Sequence, residues 1–162
     1  RPPGVSRDLL IIQSRSQSHT RTIAAQIGSA LQPGDIIALI GPLGAGKTQF
    51  VKGLAAGAGV ADLRKVTSPS FVIINQYAGR VTIYHVDAYR LGGPGELAAL
   101  GFEELCESGA AVVIEWADRV SQLLPAQHLV IRIEIIGRCR RLMHCYGYGP
   151  AAGRLIRAAG AA

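Results

Sequence analysis

The hydrophobic and polar positions of this chain change period several times, and each change marks an element boundary. The run Leu9-Leu10-Ile11-Ile12, inside residues 8–13, predicts a short strand. Ser18 or Thr20 is the expected cap of a following helix, because a short side-chain oxygen accepts the unpaired first N–H groups. Ile23, Ile27 and Leu31, with Ala24 and Ala30, recur at helical spacing until Pro33-Gly34. Ile36 to Ile40 is continuously apolar between breakers, the pattern of a strand buried on both faces of a parallel sheet. A glycine-rich turn comes next, then a helical pattern from Lys47 to Ala58 ended by Gly59.

The second half reads as strands alternating with short helices. Residues 61–70 predict a loop containing Ser68-Pro69. Phe71 to Tyr77 and Val81 to Val86 are rich in strand formers and predict a hairpin across Ala78-Gly79. Residues 91–108 predict loop and short helices, and Ala111 to Ile114 a second strand of the buried type. Ala117 to Leu124 reads as helical up to Pro125, and Leu129 to Ile136 with Arg141 to Tyr146 as a hairpin turning near Gly137. The Ala/Gly/Arg-rich residues 151–162 read as a frayed helix or loose tail outside a single domain of residues 1–150. This order predicts an α/β fold. Its sheet should be mixed, with the Ile36 and Ala111 strands parallel and hairpins adding antiparallel edges.

Composition narrows the class. Of 162 residues, 49% are apolar and 17% charged, which suits one globular domain. No apolar run approaches the roughly 18 residues of a membrane span. The chain starts at Arg1, with neither an initiator Met nor a signal-peptide pattern, as expected of a trimmed chain. Cys106, Cys139 and Cys145 cannot all pair with one another and are expected as reduced thiols of a cytoplasmic protein. Cys139, His144 and Cys145 lack the Cys-x-x-Cys spacing of a zinc site. The net charge of +6 gathers at the two ends, leaving a slightly acidic middle. Basic ends suit an anionic partner such as RNA or an acidic protein face, or simply a solvated surface.

The strongest chemistry lies in Gly41-Pro42-Leu43-Gly44-Ala45-Gly46-Lys47-Thr48, which fits G-x-x-x-x-G-K-[ST] between a strand and a helix. Gly44 and Gly46 let backbone N–H groups turn toward phosphate oxygens, and the helix start adds its positive dipole end. Lys47 is expected to neutralise the terminal phosphates of ATP, and the Thr48 hydroxyl to bind Mg2+. Hydrolysis also needs a carboxylate near the metal. Asp87 ends the strand Val81 to Val86, and Glu115 ends the strand Ala111 to Ile114, so both are candidates.

Taken together, these segments resemble the TsaE (YjeE) family. The resemblance covers residues 20–149 and rests on four blocks. They are Leu43 to Thr48 with Phe50-Val51-Lys52-Gly53, Thr67-Ser68-Pro69-Ser70-Phe71, His85-Val86-Asp87-Ala88-Tyr89-Arg90-Leu91, and Ile114-Glu115-Trp116. The third and fourth blocks make the resemblance specific, since the phosphate loop alone is shared by unrelated ATPases. Pro42 and Ser70 depart from the family's common Asp and Thr.

The resemblance implies a three-layer P-loop NTPase-like fold with a mainly parallel sheet. It also implies a cytoplasmic ATPase that supports threonylcarbamoylation of tRNA adenosine beside the anticodon. Its partners would be TsaD and TsaB, with tRNA engaged through that complex. By position, Thr48 and Glu115 would hold magnesium, Lys47 the phosphates, and Asp87 would orient water or support the metal. The nucleotide would also meet Gly41, Leu43, Gly44, Ala45, Gly46, Gln49, Trp116 and Arg138. Tyr89 and Arg90 would meet the partners. Turnover by the chain alone is expected to be slow, because no arginine finger is evident in cis and such a group is worth about 1,000-fold or more. Two readings compete. A small-molecule P-loop kinase would need an Arg-bearing lid, and none is evident. An RNA-binding module would need basic-aromatic runs, and none is present.

Overall fold

The structure, a computed structural model, describes residues 9–67 and 73–161. The expected strand start at Asp8, the loop residues Ser68 to Ser70 and the hairpin residues Phe71 and Val72 lie outside the described residues. The strands are β1 (Leu10–Ser14), β2 (Ile36–Ile40), β3 (Ile74–Tyr77), β4 (Ile83–Asp87), β5 (Ala111–Glu115), β6 (His128–Ile135) and β7 (Arg141–Tyr148). The α-helices are α1 (Gln17–Ser29), α2 (Lys47–Gly57), α3 (Pro94–Ala99), α4 (Phe102–Cys106) and α5 (Pro150–Gly160). They form one seven-stranded sheet in the order β1-β7-β6-β2-β5-β4-β3. The pairs β6–β2, β2–β5 and β5–β4 are parallel, while β3 and β7 run antiparallel to their neighbours. The mixed α/β architecture read from the sequence is the one observed.

Period-two alternation sends each central strand into two separate cores. On β2, Ile37 and Leu39 face α1, α2 and α5, together with Ile23, Phe50 and Leu155. Ile36 and Ala38 face the other side, with Leu97 of α3, Phe102 of α4 and Val120. The run Ile36 to Ile40 is therefore apolar throughout because helices cover both faces. Helices α1 and α2 touch almost backbone to backbone. A Cβ at Gly53 would lie 2.3 Å from the Arg21 carbonyl oxygen, and one at Gly57 2.1 Å from that of Ala25.

Three local expectations change. The cap of α1 is Ser16, whose extended backbone lets Oγ accept the His19 amide at 3.0 Å. Thr20 lies inside the helix, and its hydroxyl pairs with Ser14 Oγ at 2.7 Å. The β3–β4 link runs over five residues, 78–82, and the exposed Arg80 within it reaches the carboxyl end of α1. Its guanidinium donates to the carbonyls of Leu31, at 2.9 Å, and Gly28, at 3.0 Å. Residues Ala117–Leu123 form a 3-10 helix broken at Val120 instead of an α-helix.

The largest change concerns the carboxyl end. The segment expected as a tail is helix α5, with Pro150 in its first turn and Ala152, Leu155, Ile156 and Ala159 buried in the larger core. Every third or fourth residue is apolar, and that stripe docks on α1, β6 and β7. Arg154 locks the position with a two-pronged contact to the Asp35 carboxylate at 2.7 and 2.8 Å, and also donates to the Ala30 carbonyl. Leu155→Ala should lower unfolding stability by about 3 kcal/mol, read as a shifted urea midpoint. A loose tail would leave the midpoint unchanged.

Candidate functional site

The site forms where β2, β4 and β5 end on the same side of the sheet. Gly41–Gly46 leaves β2 and feeds directly into α2. Gly44 and Gly46 adopt φ of +80° and +101°, a conformation that favours glycine, and a Cβ at either would meet nothing within 4 Å. The loop is thus an open cradle whose shape comes from backbone conformation and not from crowding. Gly46 caps α2 without a side-chain hydrogen bond, so among the described residues the cap leaves the first-turn amides of α2 available. This arrangement suits an anion.

Lys47 lies inside the cradle and is 5% exposed. Its Nζ donates to the Gly41 carbonyl at 2.7 Å and the Pro42 carbonyl at 2.9 Å. The same atom sits 3.8 Å from the centroid of the Trp116 ring. Burial lowers the Lys47 pKa from its ordinary value, and the charges of Glu115, Asp87 and Asp118 oppose that shift. The ammonium therefore sits among weak carbonyl and ring partners that phosphate oxygens would outbid.

Parallel pairing supplies the carboxylates. Glu115 lies opposite Leu39 of β2 and opposite Asp87 of β4 in the strand register. Thr48 Oγ1 and Glu115 Oε1 face each other at 3.5 Å. That is too wide for a strong hydrogen bond and close to the ~3 Å edge of a magnesium octahedron. A hydroxyl and a carboxylate are hard oxygen donors, so the pair fits a magnesium ion. Glu115 Oε2 is taken by His85 Nε2 at 2.5 Å, and His85 Nδ1 lies 2.9 Å from the Tyr77 hydroxyl. Asp87 is 8% exposed, and its Oδ1 accepts the Tyr89 amide at 2.9 Å.

Trp116 has a φ of +58°, the left-handed region that a bulky side chain rarely adopts. This turn carries the indole over Lys47 directly after Glu115. The Tyr89 ring lies against the Trp116 ring, 4.9 Å between centroids and tilted by 44°, and Arg119 donates to the Tyr89 carbonyl at 2.8 Å. Tyr89 is 49% exposed, so these contacts lead from the buried ammonium to the surface.

Sequence reasoning missed Arg141, which has a direct hold on the loop. Its guanidinium donates to Ala45 O at 3.0 Å and Gly44 O at 3.1 Å from the start of β7. No local spacing signals this, since only the β6–β7 hairpin and its place beside β2 bring residue 141 to residue 45. Those bonds occupy two of the loop's carbonyls and tie the loop to β7. A cavity of about 260 Å³ is lined by Leu43 to Gln49, Glu115 and Trp116. It shares Gln17, Gly44, Ala45, Gly46 and Gln49 with a cavity of about 440 Å³ that Arg138, Cys139 and Arg141 also line. The smaller space suits phosphates and the larger a nucleoside. Lys47, Thr48, Asp87, Glu115 and Trp116 converge, Gln49 and Arg138 sit in the adjoining space, and Arg90 is exposed and lines neither cavity. A larger cavity, about 670 Å³, opens beside Gly34 and Ile36 at the opposite strand ends and shares no residue with the phosphate loop.

Comparison with known proteins bears on the family and the fold. A family model described as threonylcarbamoyl adenosine biosynthesis protein TsaE matches residues 14–142. A Treponema pallidum protein named tRNA threonylcarbamoyladenosine biosynthesis protein TsaE is 38% identical over 123 residues, covering 76% of this chain and 90% of that protein. A Bacillus subtilis protein of the same name is 40% identical over 119 residues, covering 73% of each. The crystal structure of Bacillus subtilis YdiB superposes with a TM-score of 0.78 at 30% identity, covering 95% of both chains.

The thiols report on this region. Burial pushes the Cys145 thiol up to about 12 and the Cys106 thiol up to about 11, leaving almost no thiolate near neutral pH. Cys139 is exposed and lines the cavity of about 440 Å³ beside the phosphate loop. In the folded protein a maleimide should label Cys139 first, and saturating adenine nucleotide should slow that labelling several-fold, as mass spectrometry would show. Labelling of Cys139 at the same rate with and without nucleotide would separate the cavity from nucleotide binding.

Proposed function

This chain belongs to the TsaE family of threonylcarbamoyl adenosine biosynthesis proteins, and from that premise we propose that it is a magnesium-dependent ATPase. It acts in threonylcarbamoylation of the tRNA adenosine beside the anticodon, together with TsaB and TsaD, and in the cytoplasm. The observation that carries the reading is the facing pair of Thr48 and Glu115 across 3.5 Å, with Lys47 in the same cradle. The P-loop-like fold and the family support a role in nucleotide handling. Among the described residues no helix is long and apolar enough to cross a membrane.

The residues divide the work by their chemistry. Loop amides and the start of α2 receive phosphate oxygens, and Lys47 exchanges the carbonyls of Gly41 and Pro42 for the terminal phosphates. Thr48 and Glu115 would hold magnesium, which when bound draws charge from the terminal phosphate oxygens. Asp87 sits beside Glu115 and its Oδ1 accepts a hydrogen bond from the Tyr89 amide, and such an accepting carboxylate suits the orientation of a water molecule. The exposed surface around Tyr89, Arg90 and Arg119 suits the partner contact, because it connects through Trp116 to Lys47.

ATP turnover should be slow for the chain alone and should change when TsaB and TsaD are added. Thr48→Ala and Glu115→Ala should each lower the rate by about 100-fold or more under both conditions. Wild-type turnover by either variant would remove the cation pair from the mechanism.

A further inference from the structure

Glu115 is held from behind by buried side chains that take no part in contacting phosphate. Tyr77, His85 and Glu115 stand on the adjacent strands β3, β4 and β5. They are 3%, 0% and 2% exposed, so water cannot stand in for a lost partner. The contacts run from the Tyr77 hydroxyl to His85 Nδ1 at 2.9 Å, and from His85 Nε2 to Glu115 Oε2 at 2.5 Å.

The direction of these bonds follows from the groups themselves. An ionised carboxylate only accepts, so the hydrogen between His85 and Glu115 lies on Nε2. In the neutral tautomer that carries its hydrogen on Nε2, Nδ1 has a bare lone pair to which the Tyr77 hydroxyl donates. Burial holds the Tyr77 phenol above its ordinary pKa, which keeps it a neutral donor. With Oε2 occupied in this way, Oε1 is the oxygen turned toward Thr48.

We propose that Tyr77 is a positioning residue of the site: acting through His85, it holds the Glu115 carboxylate so that a single oxygen faces Thr48 and the cation. The inference rests on the reading of Glu115 as a magnesium ligand. Without the phenol O–H, Nδ1 becomes a buried acceptor lacking a partner. The imidazole then gains from turning or changing tautomer, and Glu115 loses its fixed pose.

The test measures metal dependence apart from turnover. A fluorescent ADP analogue is titrated into wild type, Tyr77→Phe and Glu115→Gln, first in EDTA and then across a magnesium chloride series. Circular dichroism confirms that each variant is folded. Tyr77→Phe should match wild type in EDTA and need about tenfold more magnesium to reach half of the metal effect. An unchanged magnesium requirement in Tyr77→Phe, beside a raised one in Glu115→Gln, overturns the inference and leaves the cation reading intact. No change in either variant removes the cation reading and this inference with it. Nitrogen-15 NMR of the wild-type imidazole supplies a measurement independent of any variant's folding. Protonated Nε2 with bare Nδ1 supports the arrangement, and the reverse tautomer overturns it.

Discussion

Much of this structure depends on the parallel pairing of β2 with β5 in one register. With Leu39 opposite Glu115, the strand that feeds the phosphate loop ends beside the strand that ends in a carboxylate. A slip of one residue would turn Glu115 to the opposite face of the sheet, away from Thr48. The register is secured by burial on both sides. Ile37 and Val113 face one core, and Ile36, Ala38, Val112 and Ile114 face the other. The same hydrophobic alternation that folds the sheet therefore aims the site.

This placement concentrates polar and charged groups in a poorly solvated corner. Lys47, Asp87, Glu115 and His85 are all buried, and each would be costly there without partners. The corner is tolerated because the groups satisfy one another. The ammonium bonds loop carbonyls and rests on an indole ring, while Glu115 is bonded by an imidazole that a phenol orients. Such a network specifies geometry more than it adds stability, since removing one member strands another. The left-handed Trp116 belongs to the same economy of shape: strain at one residue puts an aromatic face against Lys47.

The far half of the sheet supports the site from outside. Strand β7 starts with Arg141, whose bonds to Gly44 and Ala45 tie the loop to the β6–β7 hairpin. Helix α5 covers the core beneath that hairpin and is joined to the start of β2 through Arg154 and Asp35. The carboxyl-terminal segment thus belongs to the scaffold that holds the phosphate loop, although it contributes no residue to the two cavities around it.

The sequence by itself determined the elements whose signal is local. The phosphate loop was legible because strand, glycines, lysine and threonine are contiguous, and their shape depends on backbone conformation at Gly44 and Gly46. The buried strands at residues 36–40 and 111–114 were legible because continuous apolar runs need cover on both faces, and the second leads directly to Glu115. Tertiary structure alone decided the Arg141 hold on the loop, the Tyr77–His85 support of Glu115 and the docking of α5. Each joins residues far apart in the chain, such as 45 with 141 or 85 with 115, through strand order and register. Short Ala and Gly side chains also weakened the pattern of α5. Its stripe has meaning only against the α1 and β7 surfaces that it covers, and those surfaces exist only once the sheet has formed.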